Sequence, residues 1–264
     1  MKKFIFPALL AFFILFNSTV YCAPIVDWYN GNITIIGKGA APAETASSES
    51  RLFQRLAAEA DTYKLLTDTI SEIIVTPGVK VKDVSEKNKA VKDKIETLVK
   101  NSPISRIDYY DDNMAYVSIQ IPVFGKGMLA DIVLPAVFGS GEAKGTQEAI
   151  AETGYTGLII EIATREFEPA FVPKIIDTAS VEIFGKEINV SYAVEKGAVA
   201  YAASSSEAYL MPWRVGSKPI YVKSASILSK SNIVVSTQES YNILSSNERS
   251  KFLKNCKVVI VVRK

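Results

Sequence analysis

The feature that most restricts the fold is one long helical pattern near the start of the chain. From about Ser47 to Ile74, apolar side chains recur at steps of three and four, at Leu52, Leu56, Ala60, Tyr63, Ile70 and Ile74. This spacing places them in one stripe along an α-helix, and such a stripe is normally buried against another element. We therefore expect Leu56 and Tyr63 to be buried against a sheet that contains Ile33 and Ile35.

Strands and a second helix surround this helical pattern. A strand at 33–36 precedes it, and a more charged helix at about 83–100 follows, with Asp83 and Glu86 as a capping box. Two further strands, at 104–110 and 114–123, are hinged at Asp111-Asp112-Asn113. The order strand, long helix, helix, hairpin predicts an α+β unit with its helices on one face of an antiparallel sheet.

Short β-rich segments dominate the second half of the chain. They lie at 157–163, 174–177, 181–184, 220–227, 233–235 and 258–262. Ser236 and Glu239 form a capping box that opens a helix. The final segment is apolar on both faces, so we expect it in the centre of a sheet. These signals predict a strand-rich mixed α/β C-terminal domain.

Composition divides the chain into four segments. We assign residues 1–22 to a signal peptide, 23–125 to the α+β domain, 126–153 to a linker with a short apolar segment, and 154–264 to the C-terminal domain. The linker assignment rests on the small, flexible residues of Phe138–Gly145. We expect two folding units joined in this window.

The first residues are typical of a bacterial secretory signal. Lys2 and Lys3 precede an apolar run of 13 residues, Phe4–Phe16, and polar residues follow. Signal peptidase I cleavage would leave Ala23 as the first mature residue, whereas a lipoprotein would begin at a lipidated Cys22. Tyr21 occupies the position where the lipoprotein enzyme needs a small residue, so we expect release into the periplasm rather than lipid anchoring.

Composition excludes several classes of function. The chain has no histidine and 2 cysteines, which excludes Ser-His-Asp and Cys-His catalysis, His-liganded zinc and a four-cysteine zinc site. Loss of residues 1–22 takes Lys2 and Lys3 from the 30 basic residues and nothing from the 28 acidic ones. The mature chain is then neutral, which argues against nucleic acid as a partner. Cys256, beside the last strand, is expected to be a buried core residue.

Four motifs were weighed as sites of chemistry, and each has a simpler structural interpretation. Gly37-Lys38-Gly39 lacks the residues of a phosphate-binding loop, which favours a turn. Asp108, Asp111 and Asp112 lack calcium-loop spacing and indicate a hairpin turn.

Two further motifs concern hydrolytic chemistry. Glu161, with Glu166 and Glu168, could supply a pair of catalytic carboxylates, although Glu161 is expected on the solvent face of its strand. Ser217-Lys218 lies in a Gly/Pro turn and lacks the partner motifs of Ser-Lys enzymes. We therefore assign no catalytic, cofactor-binding or metal-binding residues.

Two stretches of the first half resemble a known family. The segment Ile33-Thr34-Ile35-Ile36-Gly37-Lys38-Gly39-Ala40-Ala41-Pro42 is followed by Ser50-Arg51-Leu52-Phe53-Gln54-Arg55-Leu56-Ala57-Ala58-Glu59-Ala60 and Tyr63. Over residues 25–123 this resembles the bacterial lipoprotein-twenty-like family, which is related to the N-terminal domain of flagellar assembly protein T. The second half is similar to a tail found behind that domain in uncharacterised exported proteins. The resemblance implies an envelope protein, often lipid-anchored and sometimes tied to flagellar or surface structures, without established enzymatic activity.

These observations give two hypotheses for function. The first is a non-enzymatic exported cell-envelope protein in the periplasm or at the outer membrane, which binds other envelope proteins or self-associates and needs no cofactor. Membrane association is expected only if Cys22 is lipidated. The alternative is a periplasmic hydrolase that uses a carboxylate pair or a Ser-Lys pair.

Processing of the N-terminus can be tested directly. We expect the mature protein to begin at Ala23 and to fractionate with the periplasm, because Tyr21 disfavours the lipoprotein enzyme. Intact-mass analysis of the protein purified from cells measures this, and a diacylglyceryl adduct on Cys22 would contradict it.

Overall fold

The computed structural model describes residues 25–110, 113–139 and 154–262. Residues 1–24 (which include the signal segment), Asp111, Asp112 and the second half of the expected linker lie outside the described residues. Within the described residues, none of the helices combines the length and apolar character needed to cross a membrane.

The described residues of the first half form six strands and four helices. In chain order they are β1 Ile25–Asp27, β2 Asn32–Ala40, α1 Ser47–Glu72, β3 Ile74–Thr76, β4 Val79–Lys80, α2 Val81–Lys87, α3 Lys89–Lys100, β5 Ile104–Tyr110, β6 Met114–Pro122 and α4 Leu129–Phe138. Strands β1, β2, β6 and β5 form an antiparallel sheet in that order, and α1 packs on one face of it. This is the α+β arrangement that the sequence predicts.

Two glycines of β2 determine how closely α1 approaches the sheet. Gly37 and Gly39 lie inside the strand, so the predicted turn at this position is wrong. A Cβ atom on Gly39 would lie 2.1 Å from the backbone nitrogen of Ala58, and one on Gly37 would lie 2.4 Å from that of Thr62. Contacts this short do not occur in real structures, so the helix can occupy its position only because both strand residues lack a side chain.

This close contact changes which face of α1 is buried. The buried residues on α1 are Gln54, Ala58, Thr62, Leu66 and Ile70, spaced four residues apart. Leu56 is 50% exposed and Leu52 56% exposed, so the prediction that Leu56 is buried is wrong. Small and short polar residues fit the gap above the glycines, and the larger leucines would not.

The other side chains that the sequence places in the core beside α1 are buried or half-buried. Ile33 and Ile35 are fully buried, and half-buried Tyr63 donates a hydrogen bond to the carbonyl oxygen of Ser102 at 3.0 Å.

The helix expected at 83–100 is divided into two helices at Asn88. The Asn88 side chain accepts a hydrogen bond from the Val91 N–H and so caps the start of α3. The predicted capping box at Asp83 is wrong, because Asp83 is the third residue of α2 and accepts from the Lys80 N–H.

Seven strands and four helices are formed by the residues of the second half that the structure describes. They are β7 Gly157–Ile162, β8 Lys174–Asp177, β9 Glu182–Phe184, α5 Val190–Lys196, β10 Ala200–Ala202, α6 Ser205–Tyr209, α7 Pro212–Val215, β11 Pro219–Ser229, β12 Asn232–Val235, α8 Thr237–Ser250 and β13 Val258–Val261. The strands form one curled sheet in the order β10-β13-β7-β11-β12-β8-β9. The capping box of Ser236 and Glu239 is confirmed, and so is the central, fully buried position of β13.

The parallel part of this sheet has two edges of different character. Strands β10, β13, β7 and β11 all run in the same direction, so their first residues meet at one edge and their last residues at the other. We call these the amino edge and the carboxyl edge. Helices α6 and α7 contact one face of these strands.

The two halves share a continuous core. The Phe171 N–H donates to the Ile74 carbonyl at 3.0 Å, and the Val172 N–H donates to the Val75 carbonyl at 2.8 Å. The Trp28 ring meets the Phe171 ring edge to face, with centroids 5.3 Å apart. Buried residues of both halves belong to a single apolar cluster. Division of the chain into two folding units stays a prediction.

The helix–sheet contact predicts a specific order of stabilities. Leu66→Ala should lower the free energy of unfolding by about 2–5 kcal/mol, because it empties a fully buried site. Gly39→Ala should cost about 1–3 kcal/mol through overpacking against Ala58. Leu56→Ala should stay within about 0.5 kcal/mol, since that side chain is half exposed. Urea titration measures all three, and equal costs at positions 56 and 66 would contradict the assignment of the buried face.

Candidate functional site

Glu161 is the carboxylate that the structure buries most deeply in the second half. It lies on β7 next to Val261 of β13 and is 4% exposed. The Tyr221 hydroxyl donates a hydrogen bond to it. The expectation of a solvent-facing Glu161 is therefore wrong. A single charge in an apolar strand favours a solvent-facing position, whereas β7 is an interior strand of the sheet and all six of its residues are buried.

The tyrosine in this pair is held in its protonated form. Hydrogen bonding to Glu161, followed by burial, raises the pKa of Tyr221, and a contact with Ser205 opposes this. The hydroxyl therefore remains a donor throughout the neutral range. Tyr221 of β11 thus contacts both Glu161, near the end of β7, and Ser205 at the start of α6, at the carboxyl edge of the parallel strands.

The other carboxylates weighed with Glu161 have different surroundings. Glu168 forms an ion pair with Lys230 at 2.5 Å and is half exposed, and Glu166 is exposed. In the part of the chain that the structure describes, no group of three or more Asp, Glu, Cys or His side chains has the arrangement of a metal site.

The remaining sequence motifs are placed on the surface or in the core. Ser217 and Lys218 are both exposed, and the Lys218 ammonium lies 5.3 Å from the centre of the Tyr155 ring. Asp108 forms an ion pair with Arg106 at 2.7 Å, and Asn113, directly before β6, adopts the left-handed backbone conformation common in turns.

Cys256 is confirmed as buried. Burial raises the pKa of its thiol to about 11, so the thiol is unreactive at neutral pH.

Arg214 is a buried group that the sequence patterns did not single out as important. It is 1% exposed, and its guanidinium donates to the carbonyl oxygens of Gly197 and Cys256 at 2.9 Å each, and to that of Lys196. Lys196 and Gly197 end α5, so the cation neutralises the negative end of that helix. Burial lowers the pKa of Arg214. This residue joins α5, α7 and the segment before β13.

The most prominent exposed apolar feature of the first half lies on α1. Leu52, Phe53 and Leu56 are 56%, 41% and 50% exposed, and we call them the α1 apolar surface. Beside it, the Arg51 guanidinium lies 5.5 Å from the centre of the exposed Tyr109 ring. Three large apolar side chains on two adjacent helical turns, with arginine and tyrosine beside them, are typical of a protein-contact surface.

A shallow groove of about 560 Å³ lies where the two halves meet. Its apolar part includes Trp28, Leu65 and Ile73. Two pairs of its charged lining residues form ion pairs, Lys80 with Glu72 and Lys230 with Glu168, whereas Asp68 forms none among the described residues. Hydrogen bonds from Lys80 and Lys82 lower the pKa of Glu72 to about 2. Glu72 and Glu168 are therefore engaged in ion pairs, and Asp68 is the lining carboxylate that is not.

Part of the second half matches a known family of domains. Residues 157–264, which run from β7 past β13, match the family model described as Treponema pallidum Tp0624, second domain. None of the curated proteins matches the chain. The second half is therefore similar to a domain known from a bacterial protein.

The role of Arg214 as an anchor can be measured by substitution. Arg214→Met should lower the free energy of unfolding by at least about 2 kcal/mol, because a buried carbonyl that loses its donor costs about 1–3 kcal/mol. Arg249→Met, on the exposed face of α8, provides the matched control and should change little. Similar urea midpoints for the two variants would show that the buried guanidinium contributes nothing to stability.

Proposed function

We propose that this protein is an exported, non-enzymatic component of a bacterial cell envelope that binds other envelope proteins or self-associates. The observation that carries the proposal is the α1 apolar surface. Leu52, Phe53 and Leu56 stay exposed because the glycines of β2 direct a different face of α1 into the core.

The α1 apolar surface has three physical properties of a binding site: a rigid backbone, exposed apolar side chains and a polar rim. It lies on a 26-residue helix that is fixed to the sheet along its whole buried face, so binding would order little additional backbone. Because these three side chains are 41–56% exposed, complete burial of each gains about half of the roughly 1.5–3 kcal/mol available to a fully exposed one. Arg51 and the Arg55–Glu59 ion pair at 2.5 Å provide a polar rim.

Export and an envelope role are supported by the sequence. The first 22 residues have the organisation of a secretory signal. The pattern that resembles the lipoprotein-twenty-like family and the N-terminal domain of flagellar assembly protein T falls on β2 and α1. That resemblance supports a flagellar or surface-associated role. The similarity of residues 157–264 to a Treponema domain supports a bacterial source.

A periplasmic hydrolase is the second candidate. The observation that favours it is Glu161, buried beside Tyr221 near the carboxyl edge of parallel strands, where α/β proteins commonly bind ligands. The separate partners of Glu168 and the exposed position of Ser217 weaken it. We therefore favour the binding function.

Site-specific photocrosslinking in intact cells tests the binding function. A benzophenone amino acid placed at Leu56 should give a covalent product with another envelope protein or with a second copy of the chain, identified by mass spectrometry. The same group at Lys64, exposed on another part of α1, provides the control. A product absent from position 56, or equally abundant at position 64, would contradict a specific contact through the α1 apolar surface.

A further inference from the structure

Four segments converge at the amino edge of the parallel strands. Residues 154–157, 196–199, 210–218 and 254–257 each lead into one of these strands. The Thr156 N–H donates to the Lys218 carbonyl, and the Leu158 N–H to the Lys257 carbonyl, both at 2.9 Å. Arg214 bonds to the carbonyl oxygens of Gly197 and Cys256. These contacts hold all four segments together as one surface.

The charge of this surface is mainly positive, although Glu187 lies beside Lys254 and exposed Glu195 precedes Lys196. The four segments carry five basic side chains and no acidic one: Lys196, Arg214, Lys218, Lys254 and Lys257. Among the described residues, neither Lys196 nor Lys218 forms an ion pair. Such a concentration contrasts with the full chain, whose formal net charge is +2. Lys254 pairs with Glu187 at 3.9 Å and Arg214 is buried, so the positive charge available to an anionic partner is mainly that of Lys196 and Lys218.

Large apolar and aromatic side chains project from the same segments. Leu210 is 80% exposed, Trp213 62% and Tyr155 42%. The Trp213 ring lies 5.2 Å from the buried Arg214 guanidinium, and the Lys218 ammonium lies 5.3 Å from the Tyr155 ring. We call Tyr155, Lys196, Leu210, Trp213 and Lys218 the amino-edge surface. Tryptophan and tyrosine beside lysine are the residues that concentrate at the boundary between lipid headgroups and hydrocarbon.

We propose that the amino-edge surface docks on a lipid bilayer that contains anionic headgroups. Leu210 and Trp213 enter the boundary region of the bilayer, and Lys196 and Lys218 contact the headgroups. Arg214 keeps the α6–α7 segment in position while these side chains are exposed. This docking does not require lipidation of Cys22, and it uses a surface other than the α1 apolar surface.

Tryptophan fluorescence can follow the docking directly, because Trp28 and Trp213 are the 2 tryptophans of the chain. In a Trp28→Phe variant of the mature protein, all tryptophan emission comes from Trp213. We expect this emission to shift to the blue with vesicles of phosphatidylcholine and phosphatidylglycerol, and less with phosphatidylcholine alone. Added salt should weaken the response, because it screens the lysines. Vesicle flotation of the protein with both tryptophans confirms that Trp28→Phe did not create the binding.

Variants separate the apolar contribution of Leu210 to membrane binding from the electrostatic contribution of the lysines. Leu210→Ser should weaken binding about tenfold or more, since burial of a leucine contributes about 1.5–3 kcal/mol. Lys196→Gln and Lys218→Gln should weaken it about fivefold each, from about 1 kcal/mol per basic residue near an anionic surface. Tyr241→Ser, on the exposed face of α8, is the matched control and should bind normally.

Three results would overturn the proposal. One is the absence of a blue shift with anionic vesicles in a variant whose circular dichroism matches that of the folded protein. Another is equal binding by Leu210→Ser, the lysine variants and Tyr241→Ser. The third is a blue shift that depends on protein concentration without vesicles, which would assign the amino-edge surface to a second copy of the chain instead.

Discussion

The contact between α1 and β2 is the constraint on which the first half depends. Gly37 and Gly39 let the helix backbone approach the strand so closely that only small or short polar residues fit between them. Thr62 illustrates the fit, since its hydroxyl lies 2.6 Å from the Ala58 carbonyl oxygen and 3.0 Å from that of Val117. The residues at 58 and 62 fix the rotation of α1 about its axis. That rotation buries Leu66 and Ile70 and leaves Leu52 and Leu56 outside. The surface we assign to protein binding is thus a consequence of backbone packing.

Arg214 has a corresponding role in the second half. A fully buried cation is unfavourable unless it is hydrogen-bonded, and here three backbone carbonyls accept from the two terminal nitrogens of the guanidinium, while its Nε has no hydrogen-bond partner. This one side chain fixes the positions of the end of α5, the turn at α7 and the segment before β13 relative to one another. Trp213 is next to this anchor in the chain, and Leu210 is one turn earlier. The backbone that carries the exposed side chains Leu210 and Trp213 is therefore held in place by Arg214.

Sequence patterns predicted the kinds of element and their order better than the packing of their faces. The strands at β2, β5, β6 and β13 and the capping box at Ser236 depend on local chemistry, and local patterns indicate them. The buried face of α1 depends on a distance between two elements, which a hydrophobic stripe does not encode. Gly37 and Gly39 carried that information, but a glycine pair is compatible with both a turn and a close approach. Glu161 was misassigned because its burial depends on α6 and α7, which lie more than forty residues further along the chain.

The distribution of polar and apolar groups bears on the choice between binding and catalysis. Glu161 and Arg214 are deeply buried and engaged in hydrogen bonds, and Cys256 is a protonated thiol in the core. Groups that could carry chemistry thus stabilise the interior. Leu52, Phe53, Leu56, Leu210 and Trp213 have the opposite placement, since the surface keeps them in water at a cost in free energy. Two separate surfaces of this kind, one on each half, suit a protein that links a partner to an envelope surface.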